Sequence, residues 1–232
     1  MNSFTKQIEL AGYRTGRSRA FCDFLTLAVC ALSAQEKEDE YLKVAKNYNA
    51  TEMNAFSYAF AEMTNEMDAN GVGLVDCLGD YFMEILSNER KGQFFTPPSV
   101  CDLMVSISNM ASSCSDNSVS DCCCGSGRMF LSVAKINRNL TFYGADIDYQ
   151  CCQMTLINMC LNGLYGTVSH QDSLTLEEWH RWRVARHPIL FVPYIYEYDL
   201  TEETETAAVL IAEEVKVPTQ IELFFDKIDC LL

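Results

Sequence analysis

The chain has 232 residues, 49% of them hydrophobic, and a formal net charge of -15. That is enough to bury the core of one globular domain with a helical extension, and 21% charged with 11% aromatic residues exclude disorder along most of it. The acidic balance weighs against a chain that grips nucleic acid unaided, because neutralising phosphates takes a basic face.

The 17 Lys and Arg gather at only two places, Arg14, Arg17 and Arg19, and Arg181, Arg183 and Arg186. The second group reads as a solvated helix face paired with Glu177 and Glu178. Twelve cysteines fall short of a small disulfide scaffold, and none shows the two-residue gap of a zinc knuckle. No metal is expected. Reduced thiols used as small buried hydrophobes place the protein in the cytoplasm.

In chain order, helices are expected from about Arg19 to Asn88. The apolar run Ala20 to Ala34 mimics a secretory signal, but Asp23 interrupts it and it reads as a buried helix, with no stretch long enough to cross a membrane. A helix starting near Thr51 repeats Met53, Phe56, Phe60, Met63 and Met67 at steps of three and four. Another runs from about Leu74 to Leu86, with Leu78, Phe82, Ile85 and Leu86 on one side. Lys91 to Ser99 turns into a further helix, with Thr96 as its N-cap.

Beyond this point strand and helix alternate. Strands are expected at Val119 to Cys122, Thr141 to Ala145, Gly166 to Ser169 and Ile189 to Val192. Helices fall at Arg128 to Ile136 and at Tyr149 to Asn162, the latter closed by Gly163. That order predicts a parallel sheet with right-handed crossovers. Ala207 to Val215 and Gln220 to Phe225 are expected as two more strands around Pro218.

Asp121-Cys-Cys-Cys-Gly-Ser-Gly127 sits between a strand and a helix. Its glycines let a ligand approach the backbone, the helix start offers N–H groups, and Asp121 can hold a cationic amine. Asp146 ends the next strand, about twenty residues on, where nucleotide folds put the carboxylate that binds ribose. Asp148 is better placed than Asp146 to cap the following helix. Together these favour an adenosine-containing ligand.

Gly92-Gln-Phe-Phe-Thr-Pro97, Asp121 to Gly127, Gly144-Ala-Asp-Ile-Asp148 and Gln171-Asp-Ser173 follow one another in an order that resembles the N6-adenine DNA methyltransferases, in particular the modification subunit of type I restriction systems. The resemblance covers residues 74 to 173 best. It implies an α/β fold: a Rossmann-like S-adenosylmethionine-dependent methyltransferase sheet over residues 91–232, ending early at its C-terminal side, behind a helical N-terminal subdomain over residues 1–90. It implies S-adenosylmethionine as cofactor. Phe95 and Thr96 would close over its methionine part, Asp121 would take the amine, and Gly125 and Gly127 would allow close approach. Asp146 would bind the ribose and Asp172 the adenine amino group. Cys122 departs from the family's usual proline.

Such methylases follow their fourth strand with Asn or Asp, Pro, Pro, then Tyr or Phe, which hold the target amine and stack on the flipped base. Here the corresponding residues are Phe191-Val-Pro-Tyr194. Pro193 and Tyr194 match as the catalytic remnant, whereas Phe191 cannot accept a hydrogen bond. About forty residues after Tyr194 cannot supply both further strands and a DNA-recognition module. DNA is therefore expected to be reached through a partner specificity or methylase subunit. Three functions fit: an adenine methylase completed by a partner, a catalytically silent interaction or regulatory subunit, and an unrelated small-molecule methyltransferase.

Overall fold

The computed structural model describes residues 3–33, 37–86, 93–108 and 117–198. Helices α1 (Ser3–Ala11), α2 (Arg17–Leu32), α3 (Glu38–Ala45), α4 (Ala50–Asp68) and α5 (Cys77–Tyr81) come first, and a π-turn over Phe82–Leu86 continues α5. Then follow α6 (Pro98–Ser108), β1 (Ser118–Asp121), α7 (Arg128–Ala134), β2 (Thr141–Asp146), α8 (Tyr149–Leu161), β3 (Tyr165–Asp172), β4 (Glu177–Arg186) and β5 (Pro193–Tyr198). The helical region thus starts well before Arg19.

Local chemistry sets several of these ends. Asn49 and Glu52 form a reciprocal capping box on α4, and Arg14 grips Glu52 from α1's side at 2.6 Å. The expected stripe on α4 holds: Phe56, Met63 and Met67 are buried, and Met53 and Phe60 pack against the same cluster. In α2, Asp23 is buried but satisfied by Arg19 and the Tyr48 hydroxyl, each within 2.8 Å. Among the described residues no helix is long and apolar enough to cross a membrane.

The expected Leu74–Leu86 helix is shorter. Leu74 has a positive φ of 63°, and helix begins only after Asp76, whose carboxylate caps Gly79 N–H at 2.8 Å. The side chains of residues 85 and 86 lie outside the described residues, as do the two strands expected after Tyr198. Thr96 does not cap α6. The Pro97 carbonyl accepts from Val100 and Cys101 N–H, so Pro97 holds that position and Pro98 opens the helix.

The sheet runs β1-β2-β3-β4-β5, with β1, β2 and β3 parallel and β3, β4 and β5 antiparallel. The expectation of a wholly parallel sheet is therefore half right. Ile189 to Val192 is a turn and not a strand. His187 Nδ1 accepts from the N–H of Ile189 and of Leu190, and Phe191 takes a φ of 58°. The strand lies earlier, at β4, so Arg181 and Arg183 share one strand face, Arg186 lies on the other, and the three do not form a helix face. Of them only Arg181 has the expected acidic neighbour, Glu178, at 2.9 Å.

Helix α8 is the spine. Cys151, Met154 and Ile157 join the helical-layer core, while Cys152, Leu156, Met159 and Cys160 join the cluster behind the sheet. A helix apolar on both sides must be sandwiched, and this one lies between two layers. The three cysteines here are packing residues, their thiols pushed up by burial.

Candidate functional site

Strands β1, β2 and β3 end side by side, because the parallel register pairs Asp121 with Gly144 and Asp146 with His170. This brings three of the expected carboxylates, Asp121, Asp146 and Asp172, to one edge of the sheet. Crevices outside the carboxyl ends of parallel strands are where open α/β sheets bind ligands.

Gly125 and Gly127 both have positive φ, 56° and 82°. In this bend the Gly125 N–H donates to Asp146 Oδ2 at 2.9 Å, and Asp146 Oδ1 accepts from Asp148 N–H at 2.9 Å. The Asp146 carboxylate keeps two unused lone-pair positions. Burial, above all, raises its pKa, and the two backbone N–H bonds oppose that. Asp148 caps α8 through Gln150 N–H at 2.8 Å, leaving Asp146 to the site. Asp121 accepts from Cys123 N–H at 3.0 Å, a bond that folds the cysteine run back over the end of β1.

The loop carrying Phe95 reaches the same place. A Cβ on Gly125 would meet the Phe95 ring at 3.0 Å, so the ring lies directly on the glycine bend. Phe82 stacks behind Phe95 with centroids 5.0 Å apart, and Gln93 Nε2 donates to Asp148 Oδ2 at 2.7 Å. Thr96 follows Phe95 as an exposed residue. Asp172 is already engaged: its Oδ1 accepts from Leu174 and Thr175 N–H, bonds that hold its carboxyl below the usual range and shape the β3–β4 turn. Ser173 then donates to the Cys122 carbonyl at 2.7 Å, tying that turn to the cysteine run.

Underneath lies a polar network whose members were not singled out from the sequence. Asp76 accepts from Ser126 Oγ at 2.5 Å, Arg128 Nε at 2.6 Å and Asn158 Nδ2 at 2.8 Å, all buried. Asn158 also donates to the Ser126 carbonyl and Thr155 to that of Gly125. The helical layer thus holds the glycine bend in place through α5. Its one sequence signal is the helix-start pattern Asp76-Cys-Leu-Gly79. Two exposed apolar residues lie just after the site carboxylates, Ile147 next to Asp146 at 61% exposure and Leu174 two residues after Asp172 at 94%.

Pro193 and Tyr194 are elsewhere. Pro193 pairs with Arg186 and Tyr194 with Ala185, at the end of β4 farthest from the Asp172–Glu177 turn. Three strands across and five residues along separate Tyr194 from Asp146, about 20 Å by ordinary sheet spacings. The expected catalytic pair is therefore not brought to the cofactor carboxylates. The cause is the β3–β4–β5 meander, which carries the chain back to the opposite end of the sheet. A cavity of about 260 Å³ between Asp68, Gly73, Arg138 and Asn162 lies at the far end of α8 and contains none of the site residues.

A parallel-stranded α/β layer with a glycine bend hydrogen-bonded to the carboxylate of the next strand is the arrangement that open α/β folds present at their ligand crevice. The sequence profile of the family described as N-6 DNA methylase matches residues 75–211, more than half of the chain. The chain belongs to that family. It is also similar to the type I restriction enzyme MpnII methylase subunit of Mycoplasma pneumoniae, 27% identical over 132 residues, 51% of this chain and 24% of that subunit. The chain thus spans about a quarter of the length of the curated relative it matches. No solved structure matches it.

Proposed function

We propose that the chain binds S-adenosylmethionine, or its demethylated product, at the carboxyl ends of β1, β2 and β3 and does not by itself methylate adenine. The observation that carries the first half is the Gly125 N–H bond to Asp146 beneath the Phe95 ring. It joins the three segments that would touch such a cofactor. The fit is chemical as well as spatial: Asp146 has lone pairs left for two ribose hydroxyls, and Ile147 and Leu174 offer apolar walls for an adenine ring. Asp121 faces the same bend and can take the amine. Asp172 contributes through the turn it builds, which places Leu174. When bound, the cofactor supplies an electrophilic methyl group; the residues here hold and orient it.

Phe191 supports the second half. It presents no acceptor, and its ring lies 4.8 Å from the Arg186 guanidinium. DNA would then be reached through a partner methylase or specificity subunit, with this chain as the cofactor-binding or regulatory member. The proposal keeps residues 1–90 as the helical subdomain and 91–232 as the methyltransferase-like domain. It places the protein in the cytoplasm, in keeping with ten described cysteines that form no disulfide.

Calorimetric titration with S-adenosylmethionine tests the binding. Asp146→Ala should weaken it by about 1.5–3 kcal/mol, the range for hydrogen bonds to a charged group. No binding by the parent chain, or unchanged affinity in the variant, overturns the proposal.

A further inference from the structure

The parallel ladder between β2 and β3 ends at the pair Asp146–His170. Ile147 comes next, beyond the last strand pair, and a side chain meets its carbonyl: His170 Nε2 lies 3.1 Å from the Ile147 oxygen. A carbonyl can only accept, so Nε2 carries the proton and Nδ1 the lone pair. Nδ1 is buried and, among the described residues, has no hydrogen-bond partner. A second proton there would find no acceptor, and burial lowers the His170 pKa from its ordinary value of 6.5. The ring is thus neutral at neutral pH and fixed in one tautomer.

Several contacts aim that donor. Strand β3 changes register against β4 between His170 and Gln171, the kind of irregularity that re-aims a side chain. Tyr149, the first residue of α8, meets the His170 ring edge-on with centroids 5.4 Å apart, and Trp179 lies against it at 4.7 Å. His180 stacks on it at 5.7 Å and is itself held by Glu197, whose Oε1 is 2.8 Å from His180 Nδ1. Lys37 holds the other Glu197 oxygen at 2.7 Å. The imidazole is therefore clamped from α8 and from β4.

The carbonyl it reaches is half of a peptide group whose other half serves the site. The oxygen of Ile147 and the N–H of Asp148 belong to one planar unit, and that N–H donates to Asp146 Oδ1 at 2.9 Å. Holding the oxygen fixes the plane, and with it the direction of the N–H. A bond donated to the oxygen also polarises the peptide and strengthens the bond that the N–H makes.

We infer that His170 is a positioning residue of the cofactor edge: it holds the Ile147–Asp148 peptide by its oxygen and so sets the Asp146 carboxylate for the ligand. The inference rests on the cofactor proposal for what Asp146 binds, and on the hydrogen bonds alone for how Asp146 is held.

Two substitutions separate the donor from the ring. His170→Gln keeps an N–H near the Nε2 position and loses the ring, whereas His170→Phe keeps a ring and loses the N–H. Amide hydrogen exchange, followed by NMR without ligand, should show the Asp148 N–H exchanging about fivefold faster in His170→Phe and within about twofold of the parent in His170→Gln. Calorimetric affinity for S-adenosylmethionine should follow the same order, about fivefold weaker for the Phe variant. If His170→Phe does not fold, His170→Leu takes its place, since it lacks the ring as Gln does and differs in having no donor. The reverse order, with Phe tolerated and Gln not, would make ring packing the role and overturn the inference. Unaltered Asp148 exchange in the variants without a donor overturns it as well. A parent that does not bind S-adenosylmethionine removes the cofactor reading, while the exchange rates still decide whether His170 positions Asp146.

Discussion

Strands β1 to β3 and strands β4 and β5 form one sheet but are built on different terms. In the parallel part each strand is followed by a buried helix or a carboxylate-bearing turn, and its ends are tied to three other segments by named hydrogen bonds. In the antiparallel part a single hairpin follows β3, and the turn from His187 to Val192 is exposed at Ile189, Leu190 and Phe191. The difference teaches where the site can be. Polar groups converge where chain segments from distant parts of the sequence meet; the hairpin meets one such segment, at Ser33 beside Ile195 and Lys37 on Glu197, and none of the site carboxylates.

The sharpest way to break the parallel part is at Gly166. A Cβ there would lie 1.8 Å from the Phe142 carbonyl oxygen, inside the backbone of the paired strand. Gly166→Ala should therefore cost the folded state outright, more than about 4 kcal/mol. Urea unfolding or the yield of soluble protein would show it. In the hairpin, Arg186→Ala removes an exposed arginine–ring contact and a 3.4 Å hydrogen bond to the Phe191 carbonyl, and should cost about 1 kcal/mol or less.

Next in size is the network beneath the glycine bend. Arg128 and Asp76 are 8% and 3% exposed at their side chains. Asp76→Ala takes from Arg128, Ser126 and Asn158 their common acceptor and leaves Arg128 only Asp80, which puts the cost near the lower end of the range for breaking a buried pair, about 3 kcal/mol. Chemical denaturation measures the loss, and a change below about 1 kcal/mol would show that the network is not what holds the bend.

The same contrast explains what could be read from the residues alone. Asp121, the two glycines and Asp146 were legible because a glycine bend followed by a carboxylate about twenty residues on reflects one βαβ unit, a local object with a fixed length. The buried α8 was legible from its apolar run and its cap. Asp76 was not, because its partners lie about fifty and eighty residues away and an isolated aspartate carries no sign of them. Strand β4 was missed because Glu177-Glu-Trp-His-Arg-Trp-Arg alternates charge and aromatic residues, a pattern that suits an exposed helix as well as a half-covered strand. Placing Tyr194 depended on that miss.

A smaller effect concerns pH at the cofactor edge. Burial raises the Asp146 pKa above the ordinary aspartate value of 3.8, with Asp148 and Asp121 adding to the shift. For the fold, a raised carboxyl favours the native state most at low pH, and that contribution is lost as pH rises through the native value. For the ligand the sign is opposite, since ribose hydroxyls need the ionised acceptor. Affinity for S-adenosylmethionine should be full at neutral pH and begin to fall on acidification before an ordinary aspartate would titrate. Asp146→Asn should flatten that profile, and a parent profile as flat as the variant's would remove Asp146 from the ribose site.

The last expected effect is none at all, and it separates the two parts of the sheet most directly. Restoring the family's motif by Phe191→Asn with Val192→Pro supplies an amide acceptor and a diproline turn immediately before Tyr194. In the family's active site such a residue works by holding the adenine amine against the cofactor's methyl group, and positioning of that kind is lost with even an ångström of displacement. Here the motif begins β5 next to Arg186, about 20 Å from Asp146 by sheet geometry. The side-chain chemistry would be right and its location wrong. A radiolabelled methyl-transfer assay on mixed-sequence DNA should therefore give background counts for both the parent and the double variant. Transfer by the parent would mean that this chain methylates without the motif. Transfer gained only by the variant would mean that the hairpin rearranges to bring Tyr194 to the cofactor edge, so that the β4–β5 pairing is one of two states.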